Sequence, residues 1–286
     1  MIKLLSLLRV KHYLKNIVVF IPLIFSLKFS DLKLIIFSFI TFIAFSLITS
    51  SVYVFNDILD IETDKLHPFK KNRPIASGKI KIPFAWSLFT IMVLFSCTLS
   101  LALNKNVFIM ILVYLSLNIF YTYKLKFIPI IDVVCIALGF ILRVLAGFES
   151  ILIVPSPFVI LLTFFTSMFF TYSKRKLEYS LIKDTENCRK SIREYNEPLL
   201  NQYVTINAIL SIVFYFTYML DETKRAGTEF LYITVIPFVI LIYRLLFLIH
   251  TCSNNDDPAN FIYKDKTTKI ILLVYFITLA IVLFIH

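Results

Sequence analysis

Apolar runs of about twenty residues recur along this chain, and nothing else in the sequence restricts its fold as much. As a helix, a run of that length crosses the roughly 30 Å hydrocarbon core of a bilayer, where each backbone polar group must be satisfied within the segment. Nine such runs are read, at about residues 14–30, 34–55, 84–104, 107–123, 128–148, 156–173, 203–220, 230–250 and 269–286, the first and fourth being short. Composition agrees. Only 16% of the 286 residues are charged and 59% are hydrophobic, whereas about a quarter are charged in an average soluble domain. The expected fold is an all-α polytopic membrane protein, one integral domain over residues 1–286 with nine transmembrane helices. The basic opening residues, with no small-residue cleavage site after the first apolar run, argue against a cleavable signal peptide. The four cysteines form no CxxC pair and the four histidines show no ligand spacing, so neither a zinc site nor a disulfide framework is expected. With only four glycines, glycine-hinged broken helices of the transporter kind are not expected.

Loop charge orients the spans. Of the 29 Lys and Arg, 22 fall in one set of ends (residues 1–15, 57–83, 124–127, 174–202 and 251–269) and five in the opposite loops. The remaining two, Arg143 and Arg244, lie inside spans. Basic loops stay cytoplasmic. That places the N-terminus inside and the C-terminus outside, with 57–83, 174–202 and 251–269 as the substantial cytoplasmic loops. The net charge of +11 is mostly this asymmetry. It suits anionic membrane lipids and anionic substrates, and no nucleic-acid partner is needed to explain it.

The stretch Phe55 to Lys65 reads FNDILDIETDK. If the second span continues helically, about 100° per residue puts Asn56, Asp57, Asp60 and Asp64 on one face and Glu62 on the other. One amide and three carboxylates over two turns, at the cytoplasmic end of a membrane helix, repel one another unless a cation sits among them. Hard oxygen ligands suit Mg²⁺, which completes its shell with water and phosphate oxygens. Lys70, Lys71 and Arg73 follow and could clamp the same phosphates. Asn56, Asp57, Asp60 and Asp64 are therefore the candidate metal residues.

A second cluster leaves the sixth span, YSKRKLEYSLIKD from Tyr172 to Asp184. Lys174 and Glu178 are i, i+4 neighbours on that helix, with Arg175 alongside. The loop beyond, SIREYNEPLL, carries Arg193 and Tyr195 and is either a lid or a solvated connector. Lys15 and Asn16 open the first span at the same face, where a snorkelling lysine is the plain reading. Asp132, beginning the fifth span, reads as a helix cap. Arg244 lies about two turns inside the eighth span, which makes it a functional candidate. Arg143, nearer the outer half, reads as structural pairing or snorkelling. Asp265, in the last cytoplasmic loop, is left without a role.

These motifs resemble the UbiA-type intramembrane prenyltransferase superfamily, whose first motif is N-D-x-x-D-x-x-x-D. NDILDIETD matches it, and NRPIASGKI fits the usual continuation. Within that superfamily LKNIVVFIPL, SVYVFND, DKLHPFKKNRPIASG, LRVLAG, SKRKLEYSL and RKSIREY resemble the decaprenyl-phosphate phosphoribosyltransferase branch. The resemblance spans nearly the whole chain and implies a UbiA-like bundle of nine helices. One departure matters. Aromatic prenyltransferases of this type carry a second Asp-rich motif after the sixth span, where this chain has Lys174, Arg175 and Glu178.

What the resemblance implies is transfer of 5-phosphoribose from 5-phosphoribosyl 1-pyrophosphate to a polyprenyl phosphate, with Mg²⁺ as cofactor and pyrophosphate released. Asp57, Asp60 and Asp64 would serve Mg²⁺, directly or through water, and Asn56 would orient the pyrophosphate or complete the shell. Arg73, Lys174 and Arg175 would hold the donor's phosphates, and Lys15 the acceptor phosphate. Tyr195 and Arg244 join the substrate-binding set. Three roles stay open for Glu178: ribose hydroxyls, positioning of Lys174, or the metal. No general base is needed, because a phosphate monoester, with a second pKa of about 6, is already mostly ionised. The rival readings are a prenyl-diphosphate-dependent aromatic prenyltransferase and a membrane transporter or channel. Prenyl chain length and oligomeric state are not legible.

Overall fold

The computed structural model describes residues 6–26, 30–66, 70–182, 194–226, 230–251 and 258–284. Among them there are helices and no strand, and eight helices are long and apolar enough to cross a membrane. After a 3-10 segment, Val10–Phe20, the α-helices are α1 (Ile21–Phe25), α2 (Leu32–Leu59), α3 (Ile61–Leu66), α4 (Ile82–Leu103), α5 (Lys105–Tyr123), α6 (Ile131–Ser150), α7 (Pro157–Ile182), α8 (Glu197–Ala226), α9 (Val235–Thr251), α10 (Pro258–Lys264) and α11 (Lys266–Phe284).

Eight of the nine expected spans correspond to these long helices. Several helices outrun the expected spans, notably α2, α7 and α8, because hydropathy marks only the lipid-matched part of a helix whose polar ends continue beyond it. The described part of the first expected span, residues 14–26, differs: it holds the end of the 3-10 segment followed by the five-residue α1. Its proline sits in the first turn of α1, where a missing N–H costs nothing. The expected loops also hold more structure than the sequence suggests. The acidic stretch is helical to Leu66, residues 174–182 extend α7, and α10 lies within 251–269. Residues 67–69, 183–193 and 252–257 of those loops, Arg193 among them, lie outside the described residues.

The chain packs as two compact units. Unit 1 is 1–124 with 142–154, and unit 2 is 125–141 with 155–286. In unit 1, α2 is central. Asp31 caps it by accepting the backbone N–H groups of Lys33 and Leu34 at 2.9 and 3.4 Å. Its buried residues include the small or hydroxylated Ala44, Ser46, Thr49, Ser50 and Ser51 beside the large Phe45 and Ile48. Small residues let neighbouring backbones approach inside a membrane, and the hydroxyls tie them. Ser96 on α4 donates to the Ala44 carbonyl at 2.8 Å, and Ser50 donates to the Leu8 carbonyl at 2.9 Å. Asn104 ends α4 and begins α5 as well, its side chain accepting from the Asn106 N–H at 2.8 Å.

The second half of α6 clamps the 3-10 segment. Arg143, 5% exposed, donates through Nε to the buried Asn16 side-chain oxygen at 2.7 Å and through Nη2 to the Tyr114 hydroxyl at 2.9 Å. Asn16 passes the link to Ser46 at 3.0 Å. The structural pairing read for Arg143 is therefore what the fold contains. One turn further, a Cβ on Gly147 would stand 2.2 Å from the Val19 carbonyl oxygen. Gly147→Ala is expected to force these backbones apart at a cost of about 1–3 kcal/mol or more. A thermal melt in detergent checks this; an unchanged midpoint would contradict the close approach.

Unit 2 is built on α7 packed along α8, with α9 packed against α8. Phe169, Tyr172, Leu200, Val204, Ala208, Ile242, Leu245 and Ile249 form its buried core. Arg244 and Asp265 close a bidentate pair, Nε at 3.1 Å and Nη2 at 2.9 Å, and Asp265 also accepts from the Thr268 N–H at 2.7 Å. The Arg244 hydrogen bonds above all, helped by Thr268, hold the Asp265 carboxyl well below the usual carboxylate range. The pair therefore adds stability above the ordinary carboxylate pKa and loses it as pH falls through the depressed value.

Candidate active site

Asp60 is the C-cap of α2, its N–H donating to the Asn56 carbonyl at 2.9 Å, and Asp64 N–H donates to the Asp60 carbonyl at 2.8 Å. The helical register thus runs nearly unbroken from α2 into α3, and it brings Asp57 and Asp64 to the same side. Asp57 and Asp64 are buried, at 2% and 3% exposure. Both point at one nitrogen: Arg73 Nη1 stands 3.2 Å from Asp57 Oδ1 and 2.6 Å from Asp64 Oδ2. Glu62 points away, is exposed, and pairs with its neighbour Lys65 at 2.8 Å. Such surface pairs contribute about 0–1 kcal/mol. Glu62→Gln should accordingly leave turnover and stability within roughly twofold of wild type. If it inactivates as severely as Asp60→Asn, the register is wrong.

Asn56 is oriented from α5, where the Thr122 hydroxyl donates to its side-chain oxygen. Arg9 completes the acidic site and was not singled out in the sequence. Its Nη2 lies 2.6 Å from Asp57 Oδ1, and its guanidinium stacks on Tyr53 with 4.4 Å to the ring centroid. Arg9 occupies the left-handed region, φ 50°, a conformation costing a non-glycine residue about 1–2 kcal/mol. Forty-eight residues separate it from Asp57, so no local pattern announces the pair.

Among the described residues no group of three His, Cys, Asp or Glu side chains is gathered around a point as a closed metal cage. What the acidic face offers is a buried carboxylate pair already converging on one cationic nitrogen. Those hard anionic oxygens fit a magnesium ion, which takes only one or two carboxylates and fills its shell from phosphate and water.

In unit 2 the residues expected after the sixth span sit on the last turns of α7. Arg175 is 2% exposed. Its Nε and Nη2 reach Asp132 Oδ2 at 3.0 and 2.9 Å, and its Nη1 donates to Glu178 Oε2 at 2.7 Å. Asp132 is thus an ion-pair partner in the first turn of α6 rather than only a cap. Lys174 and Glu178 are half-buried. Tyr195 is buried, at 4% exposure, and its hydroxyl accepts from the Ile130 N–H at 2.6 Å. Burial pushes its phenol up. A tyrosine expected on a lid or a solvated connector is buried and hydrogen-bonded. Arg244 is joined to Asp265, and Lys15 is exposed on the 3-10 segment.

The family model described as the UbiA prenyltransferase family matches residues 18–264. A decaprenyl-phosphate phosphoribosyltransferase of Mycolicibacterium smegmatis is 30% identical, over 84% of this chain and 78% of that protein. One from Mycobacterium tuberculosis is 28% identical, over 84% of this chain and 79% of that protein. A UbiA homolog from Archaeoglobus fulgidus, solved with GPP and Mg²⁺, superposes with a TM-score of 0.71 at 17% identity, covering 98% of this chain and 96% of that one. Eight membrane-length apolar helices, the shared fold and the family match agree: the chain is an integral membrane enzyme that belongs to the UbiA prenyltransferase family.

Proposed function

We propose that this enzyme transfers 5-phosphoribose from 5-phosphoribosyl 1-pyrophosphate to a polyprenyl phosphate, with Mg²⁺, and releases pyrophosphate. The observation that carries the reading is the chemistry of α7. An aromatic prenyltransferase of this type would carry a second Asp-rich motif there. Among the described residues the carboxylates of α2 and α3 lie in unit 1, and the last turns of α7 hold Lys174, Arg175 and Glu178. The relatives named for phosphoribosyl transfer, matching over most of the chain, support the same donor.

On this reading Asp57 and Asp64, with Asp60 and Asn56 beside them, would hold Mg²⁺ on the donor's diphosphate. Bound there, the metal would supply neutralisation of the leaving group's charge. Arg73 holds phosphate at the acidic face, and Lys174 holds phosphate from α7. Lys15, exposed on the 3-10 segment, meets the acceptor's phosphate. That phosphate attacks C1 of the ribose as an already ionised oxygen, the C1–O bond to pyrophosphate breaks, and no side chain has to remove a proton. The sites face the cytoplasm, following the basic loops. The scaffold has nine crossing segments. Eleven 3-10 residues at about 2.0 Å each, followed by α1, rise roughly 30 Å, enough for the hydrocarbon core.

A donor exchange on purified protein tests the proposal, with pyrophosphate release measured and the lipid product weighed by mass spectrometry. A phosphoribosylated lipid from phosphoribosyl pyrophosphate, and no prenylated 4-hydroxybenzoate from a prenyl diphosphate, is expected. The opposite pattern would replace this reading with that of an aromatic prenyltransferase.

A further inference from the structure

Arg175 was expected to grip a phosphate with its planar fork. Its surroundings argue otherwise. All three guanidinium nitrogens are engaged inside the protein, two by the fully buried Asp132 and one by Glu178. The anchor itself is immobilised. Ile130, two residues before Asp132, is held in the left-handed region at φ 68°, and its N–H is taken by the Tyr195 hydroxyl at 2.6 Å. The Tyr195 ring meets the buried Tyr172 at 6.3 Å, nearly perpendicular at 85°. Along this chain of contacts burial decreases in one direction only. Asp132 is 0% exposed, the Arg175 side chain 3%, and the Glu178 side chain 30%.

The charges settle what such a chain can bind. Two carboxylates share one guanidinium, so the trio carries a net negative charge. Bringing a phosphate to Arg175 would place a third anion on one cation, in a site with little water to screen it. Glu178 is the member that reaches solvent. A carboxylate there is an acceptor only, suited to neutral O–H donors.

We infer that Asp132 and Arg175 are positioning residues rather than phosphate ligands, and that they orient Glu178 to accept hydrogen bonds from a neutral diol, the sugar hydroxyls of the donor. The inference deepens the phosphoribosyl reading and rests on it for the identity of the diol. It also removes Arg175 from the phosphate-binding set and brings Asp132 into the machinery. Losing a hydrogen bond to a charged group costs about ten- to a hundredfold in affinity, so the effects are measurable.

The test separates the two ends of the donor. Steady-state kinetics with phosphoribosyl pyrophosphate report on the whole donor, and inhibition by inorganic pyrophosphate reports on phosphate binding alone. Glu178→Gln, at a half-buried position that tolerates the change, should raise the donor KM at least tenfold and leave pyrophosphate inhibition unchanged. Asp132→Asn should do the same, and the double variant should be no worse than Glu178→Gln alone. Arg175→Lys should retain pyrophosphate inhibition while losing donor affinity. If Arg175 grips phosphate, Asp132→Asn instead frees it and strengthens pyrophosphate inhibition, or Arg175→Lys weakens that inhibition tenfold. Either result overturns the inference, as does a normal donor KM in Glu178→Gln. If the wild type does not use phosphoribosyl pyrophosphate, the diol assignment falls with the functional reading. The pyrophosphate arm, run with whichever diphosphate donor the enzyme accepts, still decides whether Arg175 touches phosphate.

Discussion

Asp57→Ala is expected to lower turnover by at least about a thousandfold while the protein stays folded and inserted. A lost metal contact at a developing leaving-group charge is worth several kcal/mol. Asp57 is buried and central, touching both Arg9 and Arg73. Deleting it leaves two guanidinium groups whose side chains are 23% and 26% exposed, able to turn to water, so the fold should survive. Excess Mg²⁺ should not restore the rate, because the loss removes a ligand rather than weakening saturation. Turnover measured beside an unchanged gel-filtration profile checks this. Near-normal activity in both Asp57→Ala and Asp60→Ala would remove the metal assignment.

The second large effect concerns Arg73. Its Nη1 is the nitrogen on which Asp57 and Asp64 converge. Arg73→Ala leaves two buried carboxylates with Arg9 paired to only one of them. Breaking a buried pair from one side costs about 3–5 kcal/mol, and the partial exposure of Arg73 reduces this. In chelator the variant should therefore melt several degrees below wild type, on the order of 2–4 °C per kcal/mol. Added Mg²⁺ should raise its melting temperature more than it raises that of wild type. At a hundredfold excess over its dissociation constant a ligand contributes about 2.7 kcal/mol, and in the variant no guanidinium competes for the position. Equal Mg²⁺ responses in the two proteins would mean that the carboxylate pair is a structural ion pair and not a metal site.

The acidic face is legible in the sequence because everything needed for it is local. Helical periodicity assigns Asn56, Asp57, Asp60 and Asp64 to one side and Glu62 to the other. The structure keeps that register through Asp60, leaving Asp57 and Asp64 buried and Glu62 exposed. Hydropathy located eight membrane-length helices for the same reason. It gave no hint that residues 10–20 wind as a 3-10 segment. Apolar content measures preference for lipid and says nothing about which helical hydrogen bond is made.

The sequence by itself thus determined that this chain lies in a membrane, that its charge gathers at helix ends, and that one helix carries a carboxylate face with a basic flank. Tertiary structure alone decided who neutralises whom. Arg9 meets Asp57 across 48 residues, Arg175 meets Asp132 across 43, and Arg143 meets Asn16 across 127. It also buried Tyr195, which the sequence left on a lid or a solvated connector, and joined Arg244 to Asp265. The reason is physical. A side chain's face on its own helix follows from 3.6-residue periodicity, but its partner follows from which helices pack together and how closely. Here that depends on small groups such as Gly147 and the serines of α2, whose contribution is the space they leave.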